Sequence, residues 1–169
     1  SARTRLHLMA PVLSFTAEEA WSILAPSEAS IFVGDWSGVA PAGAAGDALI
    51  PKWRRLREIR AEVTRVLESL RKTGEIGSSL QAEVAIVAPE ADHALLASLG
   101  DDLHFVMITS AVALERGEAL EVKAQPSAHA KCERCWHYCA DAGAHAEHPA
   151  LCARCVSNLH GSGEQRIHV

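Results

Sequence analysis

A chain of 169 residues with 49% apolar side chains has material for one domain, or two small ones, around a real core, and its net charge of −5 excludes a chain-wide electrostatic grip on nucleic acid. Mean hydropathy is +0.05, and no apolar run approaches the roughly 18 residues of a membrane span or has the layout of a signal peptide, so a soluble, cytoplasmic, membrane-free protein is expected. The chain opens on Ser1 inside what reads as a helix, so it is expected to be a piece of a longer protein.

In chain order, residues 1–25 predict two helical pieces separated at Pro11. Thr16 and Glu19 have capping-box spacing, followed by Ala20, Trp21, Ile23 and Leu24 as an apolar face. Residues 26–47, with two Pro and four Gly, predict a connector, in which 30–36 makes a brief strand or extended contact. The clearest helix covers 48–72. Asp47 is placed to cap it, Pro51 falls in its first turn, and Gly74 ends it. Leu49, Trp53, Leu56, Ile59, Val63, Val66 and Leu70 recur every three or four residues and share its apolar face.

After Gly77 the period changes. Residues 83–87 predict a strand, 89–99 a helix stopped by Gly100, and 103–108 a helix end running into an extended segment. Residues 112–114 and 120–123 predict two strands joined by a turn at 116–117. The fold class expected is α+β: a helical N-terminal segment, a small mixed α/β unit over 48–128 with one long helix, and a zinc module over 129–169.

All five cysteines lie between 132 and 155, an odd count that points away from a disulfide framework and toward metal or thiol chemistry. Cys132 with Cys135, and Cys152 with Cys155, are two C-x2-C pairs separated by 16 residues. Two intervening residues let the chain fold back so that both sulfurs aim at one point, and two such knuckles complete a tetrahedron for one zinc ion. Four thiolates leave no position for water, so the zinc is structural. Cys139 lies outside both knuckles; it, His137, His145 and His148 are the alternative ligands, and otherwise Cys139 is a small, partly buried residue and the histidines are surface residues.

Arg134 and Arg154 lie within the knuckles and Trp136 directly follows the first. Arg and Trp can stack on and charge-pair with an unstacked RNA nucleotide, but a small zinc module needs apolar contacts, so local chemistry favours Trp136 packing on the metal cluster. Residues 52–72 carry eight Lys and Arg against three Glu, a local +5 that leaves −10 for the rest of the chain. The plain account of this surface is a solvated helix face with Arg54–Glu58 and Glu68–Lys72 pairs. No Gly-rich phosphate loop, H-E-x-x-H or G-x-S-x-G motif occurs, so no catalytic residue is assigned.

Together these segments carry a resemblance. MAPVLSFTAEEAW at 9–21 resembles the end of the helical anticodon-binding domain of class I aminoacyl-tRNA synthetases, which places that end at 1–25. FVGDW at 32–36, KTGEIGSSLQAEV at 72–84, KCERCWHY at 131–138 and LCARCVSN at 151–158 resemble, in order, the C-terminal region of the bacterial isoleucyl-tRNA synthetases. The resemblance implies a monomeric ligase that charges tRNA(Ile) with isoleucine using ATP. Its HIGH and KMSKS signatures do not occur here, so this piece is expected to lack the catalytic site and to contact the missing domains. It also implies that Arg134, Trp136, Arg54, Arg57, Arg71 and Lys72 face the anticodon region of the tRNA. The family pattern does not account for Cys139 or for the Ala- and Gly-rich stretch at 41–46. The competing expectation is a free-standing zinc-ribbon interaction module without enzyme activity.

Overall fold

A computed structural model describes residues 2–34 and 44–164, with nothing stated of the side chains at 44 and 45. Asp35, Trp36, His168 and the stretch leading to residue 43 lie outside the described residues. The chain forms two compact units, 1–48 and 49–169.

In the first unit, α1 (Ala2–Met9) and α2 (Ser14–Leu24) pack through Ala10, Ala17, Trp21, Ala25 and Ile31. Trp21 Nε1 donates to the Ala29 carbonyl at 2.9 Å, and the ring meets His7 edge-on and lies under Arg3. The expected capping box does not form. The helix begins three residues earlier, with Leu13 at its N-cap and no side-chain cap, which leaves Thr16 inside the first turn. The expected extended piece is instead a 3-10 turn at Ile31–Val33, because the Glu18 carboxylate accepts hydrogen bonds from the Ile31 amide and the Ser30 hydroxyl, and Ser30 Oγ caps Phe32. Much of the unit's apolar surface stays uncovered: Phe15 is 93% exposed, and Val12, Ile23 and Val33 also face outward.

The long helix, α3 (Ala44–Lys72), starts earlier than the sequence suggests, so Asp47 sits in its first turn and Pro51 falls in its interior. Its buried stripe is Leu56, Ile59, Val63 and Leu67, while Leu49 and Trp53 are exposed. The helix ends in a Schellman turn: Gly74 at φ 79° donates to the Arg71 carbonyl and Glu75 to that of Leu70. The surface pairs differ from expectation by one residue each, since Glu58 takes Arg55 and Glu68 takes Arg71, both at i, i+3.

The stripe packs on a three-stranded sheet of β1 (Ala82–Ala88), β2 (Ala111–Arg116) and β3 (Glu121–Pro126), in the order β2-β1-β3. The central strand β1 buries Ala82, Val84, Ile86 and Ala88. It runs parallel to β2, with Val84 opposite Val112, and antiparallel to β3, with Val84 opposite Ala124. β2 and β3 therefore do not form the hairpin their short connection suggests; β1 lies between them. The connection crosses the end of β1, where the Gly117 amide donates to the Ala88 carbonyl, and a side chain at Gly117 would overlap that of Val87. Between β1 and β2 run α4 (Glu90–Ala97) and α5 (Leu103–Met107), bridged by a 3-10 turn containing Gly100. Residues 103–107 are helical, as the expected helix end, but they run into a left-handed stop at Ile108, φ 58°, before β2 rather than straight into an extended segment.

Arg55, unremarked in the sequence, ties α3 to α4 through two hydrogen bonds to Asp92, at 2.8 and 2.7 Å. These bonds hold the Asp92 carboxyl below its ordinary range. A depressed folded-state value means that the pair stabilises the fold above the unfolded carboxylate range, near pH 4, and ceases to do so as pH falls through the lowered value. Asp92→Asn is expected to cost about 1 kcal/mol at neutral pH, a bidentate bond discounted for the half-exposed arginine. The urea midpoints of parent and variant should converge on acidification below about pH 4.

Candidate metal centre

The zinc module grows from the sheet. After β3 the chain forms β4 (Ala130–Lys131), which pairs with β5 (Tyr138–Cys139), so residues 132–137 are the tip of a two-residue-stranded hairpin. The tip is closed by the Cys132 amide to the His137 carbonyl and the Trp136 amide to the Cys132 carbonyl, each at 2.9 Å. The second knuckle opens α6 (Ala153–His160), with Cys152 at its N-cap and Cys155 one turn further. Asp141 accepts from the Ala153 amide at 2.9 Å, and the Glu133 amide donates to the Ala150 carbonyl, joining the two knuckles. Ser110 binds the module to the sheet region: its Oγ donates to the Leu80 carbonyl and accepts from the Tyr138 amide.

This framework brings the sulfurs of Cys132, Cys135, Cys152 and Cys155 within 4.8 Å of one another, with Cys135 and Cys152 3.8 Å apart. Zinc–sulfur bonds of about 2.3 Å make a tetrahedron with edges of about 3.8 Å, whereas a disulfide needs about 2.05 Å. The donor set fits a structural zinc ion. Burial opposes ionisation at all three perturbed cysteines of the set: it pushes Cys135 and Cys152 up, while at Cys132 the backbone amides of Cys135, Cys152 and Arg134 overcome it and bring the thiol to about 6. A dication would offset the cost of holding several thiolates out of water, releasing protons as it binds.

Cys139 lies outside the tetrahedron, and burial pushes its thiol up to about 11, so it packs against the cluster as a neutral group. His137 turns away from the sulfurs. Its Nδ1 lies 3.2 Å from the Cys135 carbonyl, and its ring meets His104 and Phe105 edge-on. Burial lowers the affinity of His137 and His104 for a proton.

The candidate RNA-facing residues fall in separate places. Trp136 adopts φ 66°, a strained conformation for an aromatic residue, and this swings the ring outward to 60% exposure. Its Nε1 donates to the Glu133 carbonyl, and Lys131 Nζ stands 5.3 Å from the ring centroid. Lys131 was not singled out in the sequence, although its place next to the knuckle was visible there. Arg134 directs Nη1 to Cys155 Sγ at 3.6 Å, and Arg154 lies over Phe105 at 4.6 Å. Arg54 and Lys72 are exposed on the face of α3 opposite its buried stripe, and Arg57 is exposed on its flank. Arg71, paired with Glu68, lines a cleft of about 290 Å³ with Arg60, Ser78 and Ile108.

Comparison with known proteins gives two family matches in chain order. Residues 1–86 match the anticodon-binding domain of tRNA ligase, and residues 131–158 match a zinc finger found in FPG and IleRS. Similar relatives are isoleucine–tRNA ligases: from Ralstonia pickettii, 55% identical over 95% of this chain and 17% of the relative; from Bordetella petrii, 54% over 95% and 18%; and from Cupriavidus taiwanensis, 56% over 96% and 17%. The chain thus spans less than a fifth of the length of these relatives.

Proposed function

The chain belongs to the family of anticodon-binding domains of tRNA ligases, and on that premise we propose that it is the tRNA-recognition region of a longer isoleucine–tRNA ligase acting in the cytoplasm. Residues 1–25 end a helix bundle, 26–47 connect, 48–128 form a junction unit and 129–169 a zinc module. What carries the proposal beyond family membership is Trp136, an aromatic ring held outward at the cost of backbone strain, with a lysine beside it. An exposed ring with a cationic group beside it suits stacking on an unpaired base of an anticodon loop. Arg54, Arg57, Arg71 and Lys72 supply phosphate attraction from α3, and Arg134 acts from behind by steadying the knuckle. The outward Val12, Phe15, Ile23 and Val33 suit burial by other parts of the longer protein. A free-standing zinc-ribbon module is disfavoured, because relatives align along both units rather than along the zinc module alone.

The test uses the full-length ligase and a version ending before residue 127. Isoleucine activation, followed by pyrophosphate exchange, is expected to persist in the shortened protein, while charging of tRNA(Ile) falls about tenfold or more. Unchanged charging would refute the proposal.

A further inference from the structure

The loop between the two knuckles holds a second group of metal-binding side chains. The His145 and His148 imidazoles and the Glu147 carboxylate offer ligand atoms that all lie within 4.8 Å of one another. The backbone sets this up. The His148 amide donates to the His145 carbonyl at 3.0 Å, and the Leu151 amide donates to the His148 carbonyl at 3.1 Å, so two successive turns place both rings on one side of the loop. The rings are further held by stacking. His145 and His148 lie 5.1 Å apart at 25°, and His148 and His160 of α6 lie 4.1 Å apart at 2°. His148 is therefore fixed against two other rings, the kind of support that orients an imidazole for a metal.

We propose that His145, Glu147 and His148 form a second divalent-metal site, separate from the four-cysteine centre, for an ion of intermediate softness such as Zn²⁺. Two imidazoles and one carboxylate are a donor set that zinc accepts, whereas magnesium and calcium favour all-oxygen sites. Ligands about 2.1 Å from one ion stand about 3–4 Å apart; from the present spacing, small adjustments of the exposed His145 and Glu147 side chains close the site while His148 stays in its stack on His160. Three protein ligands leave a position for water or for an external anion, in contrast to the closed thiolate centre. Solvent exposure makes the second ion exchangeable, so it is lost to mild chelation while the cysteine-bound ion stays.

The experiment is equilibrium dialysis of the full chain, its cysteine centre already loaded, against buffered micromolar Zn²⁺, with metal per chain measured by atomic emission. Two ions are expected in the parent and one in the double variant His145→Ala/His148→Ala. Addition of the second equivalent should shift the imidazole ¹⁵N resonances of His145 and His148. Glu147→Gln, which leaves the ring stack intact, removes the charged ligand and should weaken the second ion by at least about tenfold. A single ion in the parent, two ions in the double variant, or a second equivalent that leaves both histidine signals unmoved would each overturn the proposal. If the double variant loses both ions through unfolding, the Glu147→Gln affinity and the histidine resonances of the parent still decide the matter.

Discussion

Cys132→Ser is expected to release the zinc ion and unfold residues 130–160 while leaving the sheet and α3 folded. The cluster at the heart of the module contains Cys132, Cys152 and Cys155 as its buried residues, with Cys135, Cys139, Ala142 and Leu151 around them. Among the described residues no large aliphatic side chain is fully enclosed there, so little hydrophobic stabilisation is available to offset the ordering of the backbone. Structural zinc in comparable peptides contributes about 10–16 kcal/mol at neutral pH, as much as the total stability of an ordinary domain. The serine hydroxyl is a poor replacement for a thiolate as a zinc ligand, and its shorter bond to Cβ draws the acceptor away from the Cys152 amide that now donates to Cys132 Sγ at 3.3 Å. The α/β unit should survive because its core, from Leu56 and Ile59 across Val84 and Ile86 to Leu103 and Met107, contains no residue of the zinc cluster. Metal analysis and amide exchange resolve the two regions. Amides of 132–155 should exchange freely in the variant while those of β1 stay protected. Unchanged protection in the module would show that the metal is dispensable to its fold.

Features whose determinants are close in sequence were legible before the structure, and those set by distant partners were not. The two C-x2-C knuckles announce themselves because each is a local turn, and α3 and β1 do so because burial on one side writes a period into the chain. The sheet order was hidden. Strands β2 and β3 are separated by few residues and resemble a hairpin, but each finds its partner in β1, and the hydrogen bond of Gly117 to Ala88 and its close approach to Val87 show where the connection crosses. The start of α2 was misplaced because Thr16 and Glu19 have the spacing of a capping box within a helix that already runs from Ser14. On α3 the expected Leu56, Ile59 and Val63 are buried and Leu70 packs at the edge of the core, but Leu67 takes the place expected for Val66. Val66 is the neighbour of the buried Leu67, and Trp53 lies beyond the end of the packed stripe. Around the cysteine cluster, residue types pointed to the candidate donors that the fold brings together, but not to the directions of their neighbours. Arg134 points back toward sulfur, while Trp136, which composition suggested would be packed, is turned outward by a left-handed backbone conformation.

That conformation allows the role of Trp136 to be separated from its effect on folding. Under the proposed tRNA-recognition role, Trp136→Ala in the full-length protein is expected to lower tRNA charging by roughly five- to a hundredfold, since one stacked base contributes about 1–3 kcal/mol. Isoleucine activation should be unchanged. The ring is 60% exposed and encloses none of the sulfur cluster, so its removal should leave zinc bound. Alanine, however, keeps a side chain at φ 66°, whereas glycine adopts that region without strain. Trp136→Gly should therefore be the more stable of the two variants, by about 1 kcal/mol, while losing the same stacking surface. Equal charging defects in the two, with different melting temperatures and full zinc content, would assign the defect to lost recognition. A smaller defect in the glycine variant would instead tie charging to the stability of the knuckle, and wild-type charging in both would remove Trp136 from the tRNA-facing surface. Trp136→Phe, which retains a ring in place, should recover most of the charging rate.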